Sequence, residues 1–457
     1  MRVALLEITA QRPECVNKDF MGGYGWAFHI GRSLPARMIE LVKKKGEKVP
    51  ILYFAYLAAI FRDHGHEVQL LTNEIPDADL VLMHASMIDY KNEIRWAQRI
   101  KEKRPNIKIG FLGPFATFRP NLFLPYADFL IAGEVEEAGL KLARGNNLQG
   151  VVISRPIDDL DTLPFPAWEY FPVKEYSYFP SLRETPFLVA LSSRGCVYSC
   201  DYCPYPVNYQ WRERNVEKVL DEIEVAANTF GAKALLFRDP LFSVNRKRAR
   251  QIAEGIIQRG IKIKWACETR LDLLNEELID IFYESGLRVI NVGIESADEA
   301  ILRKIGRAPV PVEHQERIVK FCDGIGLRVC AFYVLGLPED SPEKIRSTVE
   351  YAKQLNTHAA MFYLATPFPG TAYYKMVGDG LLTDDYEKMD CFTPVVMHPQ
   401  LSPAQLEALK EWAYVSYYYR PRWFFSLLRR IWKDYFPTQR NIRIEIPRPP
   451  EELIISS

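Results

Sequence analysis

Apolar and polar residues follow one another along this chain in blocks. Five short apolar runs, "RVALLEIT" from position 2, "HEVQLLT" from 66, "DLVLMHA" from 79, "NIKIGFLG" from 106 and "ADFLIAG" from 127, read as buried strands. Helical stretches separate them, among them the amphipathic "VPILYFAYLAAIFRDHG", closed by a glycine, and the charged "KNEIRWAQRIKEKRP". Strand, helix and strand in repeated order predict an α/β fold with a doubly wound parallel sheet, whose ligands gather at the C-terminal strand ends. We expect this first domain over residues 1–150. Its first crossover is interrupted by "NKDFMGGYGWAFHIGRSLP", a glycine- and aromatic-rich insertion that predicts a functional loop or lid over the site.

Periodicity lapses between 151 and 186, where "RPIDDLDTLPFPAWEYFPVKEYSYFPSLRETP" reads as a linker whose aromatics pack on its neighbours. A second series then begins. "FLVALSSR", "KALLFRDP", "KIKWACET", "RVINVGIES", "RVCAFYVLG" and "HAAMFYLATP" are its six strands, with helices expected over 215–230, 246–259, 275–285 and 341–355. Six parallel strands with crossovers predict a partial (β/α)6 barrel over 187–375, followed by a helical C-terminal region over 376–457. Within that region, Phe424, Leu427, Leu428, Ile431 and Tyr435 recur at helical spacing, and Arg422, Arg429 and Lys433 fall on the other side. This pattern carries two readings: a helix packing its apolar face on the barrel, and a peripheral membrane contact.

Composition narrows the setting. At 457 residues the chain exceeds what one core usually supports, and 48% apolar with 25% charged residues is the balance of a folded, soluble protein. Basic and acidic residues cancel at 58 each, so there is no bulk attraction to nucleic acid and none is expected as a partner. The N-terminus lacks the features of a signal peptide and no run is long enough to span a membrane, which predicts a cytoplasmic protein, peripheral to the membrane if the second reading of the C-terminal helix holds. In that compartment clustered thiols point to metal or catalysis.

The cluster is "SSRGCVYSCDYCPYP", with Cys196, Cys200 and Cys203 just after the first strand of the second series. Loops in that position line the active face of βα sheets. Structural zinc wants four ligands, and the next cysteine, Cys267, is 64 residues beyond Cys203 (267 − 203). A ferredoxin-type cluster also uses a fourth thiolate. Three thiolates can instead hold three irons of a 4Fe-4S cluster and leave the fourth open; a zinc site completed by a distant side chain is the alternative. Cys267, Cys322, Cys330 and Cys391 read as small buried hydrophobes.

The CxxxCxxC spacing, with Tyr202 before the last cysteine, resembles the signature of radical S-adenosylmethionine (SAM) enzymes. The resemblance extends through "FRDPLFSVNRKR", "WACETRLD", "INVGIESADEAILRKIGR", "YVLGLPEDSPEKIRSTVEYAK" and "ATPFPGTAYY". It implies that SAM chelates the open iron and that the reduced cluster splits it to a 5′-deoxyadenosyl radical. It also implies cofactor contacts at Asp239, Arg270, Glu295 and Ser296, although the family's frequent Gly-Gly-Glu is not spelled here. The N-terminal half resembles the cobalamin-binding domain of one large branch of the family, which implies that Ser86, Gly113 and Pro114 lie near the corrin or its nucleotide tail. The Asp-x-His-x-x-Gly that supplies a histidine to cobalt is missing, and His29, His64, His66 and His84 are isolated.

What the resemblance implies is a cobalamin-dependent radical SAM methyltransferase acting on an unactivated carbon of a small or lipid-like substrate, served by a reductant such as ferredoxin or flavodoxin. Radical cyclisation or rearrangement on the same architecture is the enzymatic alternative. A non-catalytic iron-sulfur electron carrier or sensor is the alternative from another class.

Overall fold

The computed structural model describes residues 1–435 except positions 13 and 45. Strands β1 (Arg2–Glu7), β2 (Glu67–Thr72), β3 (Leu80–His84), β4 (Lys108–Leu112), β5 (Phe129–Gly133) and β6 (Gly150–Ser154) form one sheet in the order β2-β1-β3-β4-β5-β6. Every neighbouring pair is parallel. The order reverses at β1, so the loops leaving β1 and β3 diverge and open a crevice at their C-terminal ends. β6 carries the sheet across the boundary expected at residue 150. Its half-exposed sequence, with Ile153 77% exposed, belongs to an outer strand and lacks the continuous burial that marks β3.

Ten further elements matter here: helices α1 (Leu34–Lys44), α2 (Leu52–Asp63), α3 (Tyr90–Lys103), α4 (Glu136–Ala143), α5 (Val216–Asn228), α6 (Arg246–Gln258), α7 (Glu276–Glu284), α8 (Val312–Ile325), α9 (Pro342–Leu355) and α10 (Pro403–Tyr418). The α2 stretch read as amphipathic is buried from Phe54 to Phe61, because α4 and the linker cover its outer side. The insertion after β1 is packed, with a Cys15–Asn17/Trp26–Phe28 hairpin and buried Tyr24, Trp26 and Phe28. In the linker, Trp168, Phe171, Tyr176 and Tyr178 are buried, and Ser177–Tyr178 pairs with Glu47–Lys48, between α1 and α2.

The second sheet contains β7 (Phe187–Ala190), β8 (Ala234–Phe237), β9 (Lys264–Thr269), β10 (Leu287–Glu295), β11 (Arg328–Leu335) and β12 (Ala359–Leu364) in sequence order, all parallel. The helices begin where side chains can satisfy free backbone donors: Asn215, Asn245, Asn275 and Ser341 cap α5, α6, α7 and α9. The barrel is open, as expected, and α10 lies against β12 at its edge. Tyr414 and Tyr418 accept the Phe362 and Ala360 N–H groups at 3.0 Å each, so hydroxyls take the place of a neighbouring strand. Helix α11 (Pro421–Tyr435) follows, and residues 436–457 of the expected helical region lie outside the described residues.

Candidate active site

The loop leaving β7 turns sharply at Gly195, whose φ is +83°; a Cβ there would stand 2.5 Å from the Gln210 backbone. Cys196, Cys200 and Cys203 follow and line one cavity of about 240 Å³. The loop is pinned at its centre: Asp201 N–H donates to Ile305 O at 3.1 Å, and Asp201 O accepts from Tyr373 N at 2.9 Å. Burial pushes all three thiols up, most strongly Cys203. Opposing that, the positive charge of Arg307 favours the Cys200 thiolate.

Arg307 belongs to a larger network at the end of β10. Glu295 has a φ of +69° where the pairing register with β11 breaks, which turns its carboxylate into the cavity. Burial raises the Glu295 pKa, while Arg307, 3.6 Å away, and the Tyr202 hydroxyl hold it down. The aromatic residue of the cysteine motif therefore also positions an acid from the fourth barrel strand. Arg307 further donates to Gly293 O, and Gly293 is needed: a Cβ there would lie 2.2 Å from Glu295 Oε1.

Arg270, at the end of β9, stacks over Tyr198 with its guanidinium carbon 4.8 Å from the ring centroid. Nε and Nη2 bond Asp272 at 2.9 and 3.0 Å, whereas Nη1 is buried without a hydrogen-bond partner, and Arg270 lines the cavity. A buried guanidinium N–H left open is a natural seat for a ligand carboxylate.

Two expected contacts lie elsewhere. Asp239 is fully buried with its oxygens accepting from Ser192 N at 2.8 Å, Ser192 Oγ at 2.6 Å and Ser193 Oγ at 2.5 Å, so it braces the start of the cysteine loop and does not line the cavity. Ser296 Oγ accepts from Asp298 N at 3.1 Å, again outside the cavity wall. Its neighbour Glu295 lines the cavity, turned there by its left-handed backbone at the register break.

The donor set suits a cluster better than a single ion. Among the described residues no three His, Cys, Asp or Glu side chains gather as one metal ion requires. The cysteines border a cavity instead, with Arg270 and Glu295 on the same wall. Cys330 and Cys391 also line it, whereas Cys267 and Cys322 are core residues.

A second cleft lies between the sheets. Its first-domain wall comes from Asp19, Gly22, Gly23, Tyr53, Gly113 and the Gly133–Glu136 turn, and its barrel wall includes Arg194, Tyr209 and Arg238. Gly113, just after β4, lines the cleft. Ser86 and Pro114 are behind that wall: Ser86 N and Oγ bond Glu93 at 2.8 and 2.7 Å, and Pro114 packs against Gly23. Buried ion pairs close the cleft: Arg194 reaches Glu134 at 2.6 Å and Glu136 at 2.7 Å, and Arg212 also pairs with Glu134. These residues, like Arg307, escaped the sequence reading because their partners are distant in the chain. Tyr205 and Pro240 line both the cleft and the cysteine cavity.

His84 stands under the cleft floor. Nε2 donates to Lys18 O at 3.1 Å, so Nδ1 accepts the Tyr53 hydroxyl. Burial and the Lys18 charge push His84 down to about 3. Both nitrogens are engaged, and Tyr53 is the side chain of this pair that faces the cleft.

A parallel sheet with its crevice turned toward a six-stranded open barrel, whose strand ends surround three cysteines, defines a two-domain barrel enzyme. Residues 191–352 match the family model of the radical SAM superfamily, and 4Fe-4S and SAM are the cofactors that this family implies. An uncharacterized methyltransferase of Pyrococcus horikoshii is 28% identical over 450 residues, covering 90% of this chain and 96% of that one. An anaerobic magnesium-protoporphyrin IX monomethyl ester cyclase of Rubrivivax gelatinosus is 25% identical over 401 residues, covering 78% of this chain and 71% of that one. The solved structure of the radical SAM methyltransferase TsrM from Kitasatospora setae, with cobalamin and a 4Fe-4S cluster bound, shares the fold with a TM-score of 0.60 at 16% identity, over 90% of this chain and 85% of that one. Among the described residues no helix is long and apolar enough to cross a membrane.

Proposed function

We propose that the protein is a cobalamin-dependent methyltransferase that acts on an unactivated carbon of an apolar substrate. The single observation that carries this reading is the common wall: Tyr205 and Pro240 border both the cysteine cavity and the interdomain cleft, so one substrate carbon can face both. When bound, the cluster with SAM supplies a radical that removes a hydrogen atom from carbon, and cobalamin supplies the methyl group. Cys196, Cys200 and Cys203 hold the cluster, Arg270 Nη1 receives the SAM carboxylate, and Glu295, fixed by Tyr202 and Arg307, offers its carboxylate to the amino group or ribose. The Gly22–Gly23 and Gly113 turns with Tyr53 form the floor for the corrin. Trp26, Phe332, Tyr363 and Phe368 complete the larger cavity, and their rings shape it for an apolar body and exclude water.

The test is anaerobic reconstitution with iron, sulfide and hydroxocobalamin, followed by reduction and addition of SAM. Expected are 5′-deoxyadenosine and tightly held cobalamin with no histidine nitrogen on cobalt. Deoxyadenosine without cobalamin uptake would overturn methylation and leave radical cyclisation or rearrangement, the second reading, which the similarity to the Rubrivivax gelatinosus cyclase supports. Absence of both would overturn the enzymatic reading.

A further inference from the structure

We infer that the protein docks on anionic membranes through the outer faces of α1 and α11, which places the cavity mouth at the bilayer surface. Of the apolar stripe expected in α11, Phe424 and Leu428 are exposed and Leu427 is half-buried, and the side chains of Ile431 and Tyr435 lie outside the described ones. Trp423, Ser426 and Arg430 face inward: Trp423 Nε1 donates to His358 O at 3.1 Å, Ser426 Oγ bonds Asn356 at 2.9 Å, and Arg430 bonds Asp323 at 2.8 Å. Phe424, Phe425 and Leu428 are left in solvent, Phe425 at 67% exposure.

Helix α1 presents a matching face. Leu34, Met38, Leu41 and Val42 recur at helical spacing and are all exposed, Leu34 at 73%. The two helices meet at α10, where the Tyr419 hydroxyl reaches Pro35 O at 3.4 Å. Two apolar helix faces beside one corner exceed the scattered exposed side chains of a soluble surface.

Charge selects the occupant. Arg32, Arg37 and Arg422 are exposed along these faces, and Arg429, also exposed, pairs with Asp323. Glu40 is the only acid of α1, and it turns inward to accept Ile30 N at 2.6 Å and Gly31 N at 3.3 Å. Glu411 of α10 likewise accepts Arg32 N and Ser33 N, and residues 421–430 contain no acid. Aromatic and aliphatic side chains flanked by arginines suit lipid phosphates above an acyl region.

The surface leads to the cavity. Lys43, in the last turn of α1, lines the cavity, pairs with Glu47 at 2.5 Å and lies 5.8 Å from the Trp26 ring centroid. A docked α1 therefore runs along the membrane to the cavity entrance, and the substrate class that follows is a lipid-soluble molecule taken from the bilayer. This substrate assignment rests on the proposed function; the docking does not, and it is measured without SAM or turnover.

The experiment sediments reconstituted full-length protein with phosphatidylcholine vesicles, with and without phosphatidylglycerol. Wild type should bind the anionic vesicles at low salt and be released by salt. The triple variants Phe424→Ser/Phe425→Ser/Leu428→Ser and Leu34→Ser/Met38→Ser/Leu41→Ser should each bind about tenfold more weakly, with iron content unchanged. Failure of the wild type to bind, binding by both triple variants as tight as that of the wild type, or a wild-type dimer that either variant converts to monomer would overturn the inference. Should a variant lose its iron, the wild type decides alone: equal binding to pure phosphatidylcholine, or binding that resists salt, also overturns it.

Discussion

The strand ends of the barrel and those of the first sheet face each other across the cleft, yet they treat polar groups differently. In the barrel, Arg270 and Arg238 each keep one buried guanidinium nitrogen unbonded, and Glu295 is held in a rare backbone conformation to reach the cavity. In the first domain the groups at equivalent positions satisfy one another. Lys18 bonds Asp89 and Glu93 at 2.7 and 2.6 Å, Glu93 takes Ser86, and His84 takes Tyr53. Glu136, with one oxygen unbonded, is the exception at the cleft edge. The lesson is that one side is prepared for a charged, chelating ligand, whereas the other offers a finished floor on which a large ligand rests by shape.

The largest effect that tests this contrast is at the cysteines. Replacing Cys196, Cys200 and Cys203 with Ala should lower iron from about four per chain to none and abolish SAM cleavage. A triple variant that keeps its iron by chemical analysis would break the assignment. Next comes Arg270→Leu, which removes a charged partner of a carboxylate and should weaken SAM binding about 10- to 100-fold while iron remains. Asp239→Asn should leave SAM affinity unchanged, because Asp239 is spent on Ser192 and Ser193. Equilibrium binding of SAM to both variants sharpens the comparison; equal losses would mean that the two residues share a role.

The smallest effect probes the finished floor. His84 and His358 are buried and pushed down to about 3, against an ordinary value near 6.5. Their folded pKa is depressed, so the stability they contribute is complete above pH 6.5 and is lost as pH falls toward about 3, by up to about 1.4 kcal/mol per pH unit for each ring. Thermal unfolding followed from neutral pH to about 5 should show that slope, and His84→Gln should flatten it. An unchanged slope in the variant would mean that His84 is accessible to protons in the folded state.

The parts of this molecule that were legible in its sequence share a local cause. Apolar runs gave eleven strands because each is buried on both faces or on one, and Asn and Ser caps marked where helices start. The cysteine trio was legible because its chemistry lies within eight residues. The rest depends on distance. "GVVIS" carries β-branched residues, but as a half-exposed outer strand it does not resemble the buried ones. Asp239 follows a strand end, as a ligand contact would, and only the fold shows it turning back to Ser192 and Ser193. Arg194 meets Glu134 and Glu136 from about sixty residues away, and nothing in either segment names the other. In α11 the apolar spacing was visible, but which side faces inward was decided by Arg430 and Asp323, a pair separated by 107 residues.

The wall shared by the two cavities has a further consequence. Tyr205 stands two residues after Cys203, so the segment proposed to hold the cluster also borders both spaces. Under the proposed function, a molecule seated in the larger chamber would present one atom to both sides without leaving, and an unstable fragment made on one side would meet the other across the wall that Tyr205 and Pro240 share. Confinement, and not speed of exchange with solvent, is then what protects the fragment from wasteful quenching.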